Sequence, residues 1–503
     1  MNIFLDEKIR LVIPRWRDYR TTVRLDELGY FKSRILKREQ SDRDSLTERI
    51  HAWETNRTTS FASDLVGAAF VIGEYEKASE AARFLLSEGC NASNVAKEIA
   101  RKILGIAEPT LLGVESEICN PQSTEMRKRL HNLRIQLRND PRNSIVWADI
   151  SRIYAILGLK HKAPWAMDIA LKISPVNRYI LRSAARLHLH LKDPERAHYL
   201  LRHAQSIRHD PWVMAAEISV ALIMDKTSRL VNLGSKMLQS KNYLPSHITE
   251  LASAIGTLEL RSGNRKTARK LFQQALIKPN ENTVAQACWA SKRLKAFELD
   301  EVYLKGVPLS FEARYIKFSQ AKEWEKAVNE TRLWLYDQPF SARPAIQGSY
   351  IAGIALEDYV ESARIAECGL LANPRDPTLL NNLAFALANQ ENRIDEAERV
   401  FSGINVAELH SHMQVAWHAT NGLIMYRKGY PDKGREYYNR AIKMASDLKD
   451  KSLKARAAIY LAREEKLCRS SLAESATASA IDYCRGLPDP EIEILLKRVV
   501  EQS

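Results

Sequence analysis

Polar and apolar residues alternate with a helical period through most of this chain, most clearly in the unit that ends at residue 175. Trp147, Ile150, Tyr154 and Leu157 recur at three- and four-residue steps. That spacing places them on one face of an α-helix. Gly158 breaks the helix, and Ala163, Met167, Ala170 and Leu171 mark the apolar face of a second one. Pro175 stops the second helix, because proline carries no amide hydrogen for the ladder. The pattern predicts a helix pair in which small alanines allow close approach and larger residues fill the groove.

The pair belongs to a series. Pro141, Pro175, Pro211, Pro245 and Pro279 stand 34, 36, 34 and 34 residues apart, and Pro339 and Pro374 stand 35 apart. A fixed period near 34 marks a helix–turn–helix array. Trp147, Ile150, Ser151 and Tyr154, then Ala163, Met167, Ala170 and Pro175, follow the pattern W-x2-L-G-x2-Y, A-x3-F, P. Ile150, Ser151 and Met167 depart from it conservatively. Further copies fall at Gly256, Gly263, Ala268, Phe272, Ala275 and Pro279; at Leu383, Ala384, Leu387, Ala397 and Phe401; and at Gly422, Tyr426, Gly429, Gly434, Tyr438 and Ala441. Weaker ones surround Ala78, Ala197, Ala327 and Ala366. The chain resembles the tetratricopeptide repeat (TPR) family, as a generic or bacterial-type scaffold. The resemblance implies an all-α fold: a right-handed α-solenoid of antiparallel helix pairs with an irregular N-terminal segment.

Failures of the period suggest the boundaries. Residues 1–58, with Pro14 among mixed apolar, aromatic and basic residues, are expected to form an irregular segment or arm. A leading repeat at 59–104 and a linker at 105–122 precede a basic array at 123–295. An irregular break is expected at 296–310, where Pro279 and Pro308 are only 29 apart. A second array at 311–445 leads to C-terminal helices at 446–503. The last helix is expected to start at Asp489 and to carry Ile492, Leu495, Leu496, Val499 and Val500 on one face, a capping helix for the solenoid.

Length and composition agree with a repeat array. A chain of 503 residues is too long for one core, and a solenoid avoids that limit because each repeat packs only on its neighbours. No run of about 18 apolar residues predicts a membrane span. The start, with Asp6 and Glu7 before a short apolar stretch, reads poorly as a signal peptide. Six scattered cysteines without a C-x-x-C pair point to reduced thiols in a cytoplasmic protein.

The motifs of phosphate loops, zinc proteases, serine hydrolases and dinucleotide folds are all missing. His188 and His190 lie two apart on a helix and so face different ways; His410 and His412 read alike. Asp395 and Glu396 sit at a helix start, where acids serve as dipole partners. No catalytic role, cofactor or metal is expected.

Charge supplies the functional lead. Of a net +14, residues 123–245 hold an excess of twelve, with 21 Lys and Arg against 9 Asp and Glu. The family geometry would turn the first helix of each pair toward a concave groove, and with it Arg152, Arg182, Arg186 and His190. Arg182 and Arg186 share a helix face and repel unless an anion lies between them. Their planar forks suit carboxylate or phosphate. Lys160, Lys172, Arg196, Arg202 and Arg208 read as a solvated outer face. Asn381, Asn382 and Asn389 are groove candidates in a later repeat. At the N-terminus Arg15, Trp16, Arg17 and Tyr19 interleave basic and aromatic residues, as nucleic-acid contacts do. The other reading of that stretch is an arm that docks Trp16 on its own solenoid and leaves the arginines in water. The expectation is a non-catalytic scaffold or adaptor that holds an acidic protein segment in a basic groove. Two alternatives stay open: a nucleic-acid-associated protein using residues 123–245, and a regulatory subunit of a separate effector enzyme.

Overall fold

Asparagine and aspartate side chains cut the apolar runs into helices at regular intervals. Asn143, Asn177, Asp210, Asn280, Asp376 and Asp450 each accept from a backbone amide of the helix that follows, satisfying donors that a helix N-terminus leaves free. Pro211, Pro245 and Pro377 occupy first helical positions, where no amide hydrogen is needed. The fold is a computed structural model that describes residues 10–17, 39–106 and 123–501, apart from positions 73, 88, 89, 91, 93, 241, 295, 296 and 488. Most of the 105–122 linker and Tyr19 lie outside the described residues.

Among the described residues there are 26 α-helices and no strand. Four of them, α1 (Glu39–Thr55), α2 (Thr59–Ile72), α3 (Ser79–Leu86) and α4 (Asn94–Ile103), share a core of their own that includes Leu46, Trp53, Leu65, Leu85 and Ile99. Helix α1 lies inside the stretch expected to be irregular. Its only strong apolar residues are Leu46, Ile50 and Trp53, too few to lift a helical period above seventeen mostly polar positions. Helix α5 (Ser123–Asn139) then leads into the array.

Seven helix pairs follow. They are α6 (Ser144–Ile156) with α7 (Lys162–Ile173), α8 (Arg178–His190) with α9 (Pro194–Arg202), and α10 (Pro211–Ile223) with α11 (Val231–Gln239). Next come α12 (Pro245–Arg261) with α13 (Arg265–Ala275), α14 (Glu281–Ser291) with α15 (Glu301–Gly306), and α16 (Phe311–Gln320) with α17 (Trp324–Asp337). The seventh is α18 (Ala342–Ile354) with α19 (Tyr359–Ala372). Three more pairs and a last helix complete the chain: α20 (Pro377–Ala388), α21 (Ile394–Ser402), α22 (Ser411–Arg427), α23 (Pro431–Asp447), α24 (Lys451–Leu467), α25 (Ala473–Cys484) and α26 (Pro490–Glu501). The architecture is a right-handed α-solenoid. The break expected at 296–310 holds α15, a shortened second helix; Phe297, Leu304 and Val307 around it are buried.

The seven pairs curl until the seventh meets the first. Trp16, Phe340 and Ala372 belong to the same buried cluster as Ile150, Tyr154, Met167 and Leu187. Gly158 sits at φ +68°, a conformation that favours glycine. A Cβ there would lie 2.8 Å from the carbonyl oxygen of Leu371, so the first turn of the superhelix closes over a residue without a side chain.

Candidate functional site

The first helices of the pairs line the inside of this closed turn, and residues 10–17 run through it outside any helix, with one tight turn in which the Ile13 amide donates to the Leu11 carbonyl at 2.9 Å. Four carbonyls of the segment are read by side chains of the array. Gln286 donates to the oxygen of Arg10 at 2.7 Å, Asn282 to that of Ile13 at 2.9 Å, Arg152 to that of Trp16 at 3.2 Å, and Tyr179 to that of Arg17 at 2.8 Å. Asn282 and Gln286 are one helical turn apart on α14, so both amides reach the same side.

The segment's side chains are held as firmly. Val12 and Trp16 are fully buried, and Trp16 packs on Phe340 with ring centroids 5.3 Å apart. Arg10 donates to Glu312 at 3.0 and 2.7 Å and to Gln286 and Asn282. Arg17 forks onto Asp337 at 2.6 and 2.9 Å and also bonds Glu281. Burial pushes the Arg17 guanidinium down, but Asp337 and Glu281 outweigh it and hold the group well above its ordinary value. Trp16 therefore docks on the solenoid, but Arg10 and Arg17 are not left in water. Buried carboxylates on α14, α16 and α17 are waiting for them, and an unpaired buried charge costs far more than a paired one.

The groove arginines are all on first helices, and they differ in what they meet. Arg152 is 7% exposed, donates to the Trp16 carbonyl and lies 3.5 Å from the carbonyl of Asp337. Arg182 donates to Glu250 at 2.6 Å and lies over the Trp212 ring. Arg186 lies over Phe340 at 4.8 Å. His190 meets the same ring edge-on at 5.7 Å; burial, with Arg186 and Lys160, pushes it down to about 3. The inside of the turn is thus a mixed lattice of arginines, carboxylates and amides. Lys160, Lys172, Arg196, Arg202 and Arg208 are exposed on the outside.

The asparagine candidates lie in the second turn. Asn389 accepts from Arg463 at 2.9 Å and donates to the Phe385 carbonyl at 2.8 Å. Asn382 donates to Ser349 at 3.0 Å. Asn381 is buried, and among the described residues its Oδ1 has no hydrogen-bond partner. It lines a cavity of about 80 Å³ with Tyr350, Phe385, Val415, Tyr438 and Tyr460. The last helix α26 closes that side. Arg498 donates to the carbonyls of Ile354 and Ala355 at 3.1 and 2.6 Å, and Arg456 ties Tyr350 to Asp489. Asp489 caps α26 by accepting from the Glu491 amide.

Glu281, Asn282, Gln286, Glu312, Asp337, Tyr179 and Phe340 escaped the reading of the sequence. One signal was present: polar residues inside otherwise apolar first helices, as in α14, where ten of eleven residues are buried. Among the described residues no three His, Cys, Asp or Glu side chains are placed to hold a metal ion, and no helix is long and apolar enough to cross a membrane.

No protein-family model matches the chain, and no curated protein matches it in sequence. Solved structures similar to it include a chain of the APC/C hetero-tetramer Cut9–Hcn1, at 12% identity over 92% of this chain and 94% of that one with a TM-score of 0.39. Yeast Tom70 is another, at 12% identity over 93% and 92% with a TM-score of 0.31.

Proposed function

We propose that this chain is a non-catalytic scaffold of the helical-repeat class that holds a protein segment along its concave face. The observation that carries the reading is the lodging of residues 10–17. A peptide segment is gripped there by four side chains on its carbonyls and by buried partners on its side chains. Main-chain contacts supply affinity and side-chain pockets supply selectivity when an extended peptide is recognised. The same first-helix surface continues into the second turn, where Asn381 offers an unpaired acceptor beside a small apolar cavity.

The partner we favour is acidic outside the segment that is held, since residues 123–245 keep an excess of twelve positive charges and their exposed lysines and arginines lie on the outer face, where flanking parts of the partner would meet them. Opposite potentials speed encounter and make it salt-sensitive. A cytoplasmic setting is supported by the free thiols of Cys90, Cys288, Cys368, Cys468 and Cys484. The test is capture from lysate on immobilised full-length protein, with and without nuclease. The scaffold reading expects the same proteins in both arms, released as salt rises. Loss of those proteins after nuclease would replace it with nucleic-acid binding by the outer basic face.

A further inference from the structure

Charges inside the first turn do not balance around Glu312. Its carboxylate, 3% exposed, accepts from Arg10, bonds Arg15 and pairs with Arg343 at 3.0 Å. Burial pushes the carboxyl up, but Arg10, Arg15 and Arg343 outweigh it and hold it well below the usual carboxylate range. Arg186 stands in the same field. It stacks on Phe340, and among the described residues it makes no hydrogen bond and no ion pair. Burial, and then the charge of Arg15, push its guanidinium down to about 9 against the pull of Glu312.

The neighbouring carboxylates are already engaged. Arg17 holds Asp337 and Glu281, and Arg182 holds Glu250. Four guanidiniums (Arg10, Arg15, Arg186 and Arg343) therefore share one carboxylate, an excess of three positive charges. Arg10 and Glu312 form a buried floor, with side chains 2% and 3% exposed. Arg15 and Arg343 open toward solvent at 16% and 37%, and both guanidiniums are backed by the Trp334 ring.

The geometry points to an oxyanion site here, built by Arg15, Arg186 and Arg343 above Glu312, that takes a phosphate monoester. A phosphoryl group carries nearly two negative charges and three strong acceptor oxygens. Three guanidinium forks match that number and charge, whereas a single carboxylate neutralises only one of the three. Arg15 arrives on the N-terminal segment, so the site is complete only while that segment is docked. A nucleic-acid backbone needs cations strung along its path; these are gathered around one carboxylate inside a closed turn. The ligand is one phosphoryl group, on a small molecule or on a phosphorylated residue of a partner. Only the second source rests on the scaffold reading.

The experiment is calorimetric titration of the full-length protein in chloride buffer. The probes are inorganic phosphate, pyrophosphate, a phosphoserine hexapeptide and the same hexapeptide with glutamate in place of phosphoserine. Phosphate is expected to bind saturably and more weakly as salt rises. Arg343→Gln should weaken it roughly tenfold or more, and Arg343→Lys, which keeps charge without the fork, should fall between. Arg208→Gln, on the exposed outer face, should leave it unchanged. Phosphoserine peptide binding tighter than phosphate assigns the site to a phosphorylated partner; the reverse order assigns it to a small molecule. No saturable phosphate binding, or an equal loss in Arg208→Gln, overturns the site. Equal affinity for the glutamate peptide overturns the phosphate. Phosphate binding that persists while lysate capture fails would sink the scaffold reading alone.

Discussion

The two turns of this solenoid are closed by opposite means. In the first, residues 144–372 wrap the chain's own segment 10–17, whose contacts span 136 to 320 positions of sequence. In the second, residues 377–501 are closed by α26, the next element of the same array, which reaches back onto Ile354 and Tyr350. The segment brings arginines and is met by buried carboxylates. The helix brings Ile492, Leu495 and Val499, which are met by Ala455, Ala458 and Ile459. A helix satisfies its own backbone and can close a groove with apolar residues. A segment without regular structure cannot, so its carbonyls must be taken by side chains such as Gln286 and Tyr179.

The contrast can be broken most sharply at Trp16. Trp16→Ala removes a fully buried indole from the joint between first and seventh pairs and should cost about 3–5 kcal/mol. Leu495→Ala, 4% exposed beneath α26, should cost about 2–5 kcal/mol. Urea denaturation gives the totals, and hydrogen exchange gives the places. Trp16→Ala should speed exchange across residues 144–372, and Leu495→Ala only across 451–501. Uniform exchange in both variants would erase the distinction.

Glu312→Gln should cost about 3–5 kcal/mol, because it strips the charge partner from Arg10 and Arg15 in a buried place. It should also change the acid limb. The folded Glu312 carboxyl is depressed, so its contribution is present above the unfolded value and is lost as pH falls through the folded one. Stability curves of the wild type should therefore drop below about pH 4.3, and the variant should lack that share of the drop.

His190→Gln is a milder test. The folded imidazole is pushed down to about 3 while the unfolded one keeps the ordinary 6.5. Between those values the unfolded chain binds the extra proton, so stability falls as pH falls from 6.5. The variant should show a shallower slope in that window. The smallest effect belongs to the second turn: Asn381→Leu exchanges an unpaired amide for an apolar side chain at a small cavity and should raise stability by up to about 1 kcal/mol in thermal melts.

How much of this was legible follows from sequence distance. Helix pairs are local, so Trp147, Tyr154, Ala163 and Pro175 announced theirs within one period. The inward placement of Arg152, Arg182 and Arg186 was legible for the same reason, since a position within a pair sets its face. What they meet was not. Glu250, Glu281, Glu312 and Asp337 are spread over three repeats, and only the curl of the whole turn brings Phe340 to Trp16. Helix α1 was missed on different grounds: three apolar residues carry its buried face, and composition hid them.

Closure of the first turn also changes how the array should melt. In an open solenoid each repeat answers to its two neighbours, and unfolding can begin at any end and travel. Here Arg17 fastens α14 to α17, Arg152 and Tyr179 fasten the first two pairs to the same segment, and Gly158 admits the backbone of α19. The first, second, fifth and sixth pairs are thus fastened to residues 10–17, and the seventh to the first, beyond their contacts with neighbours. Residues 10–17 meet partners as far as 320 positions along the chain, so the turn locks as one piece. A molecule built from interchangeable small units thereby acquires the all-or-none character of a single domain.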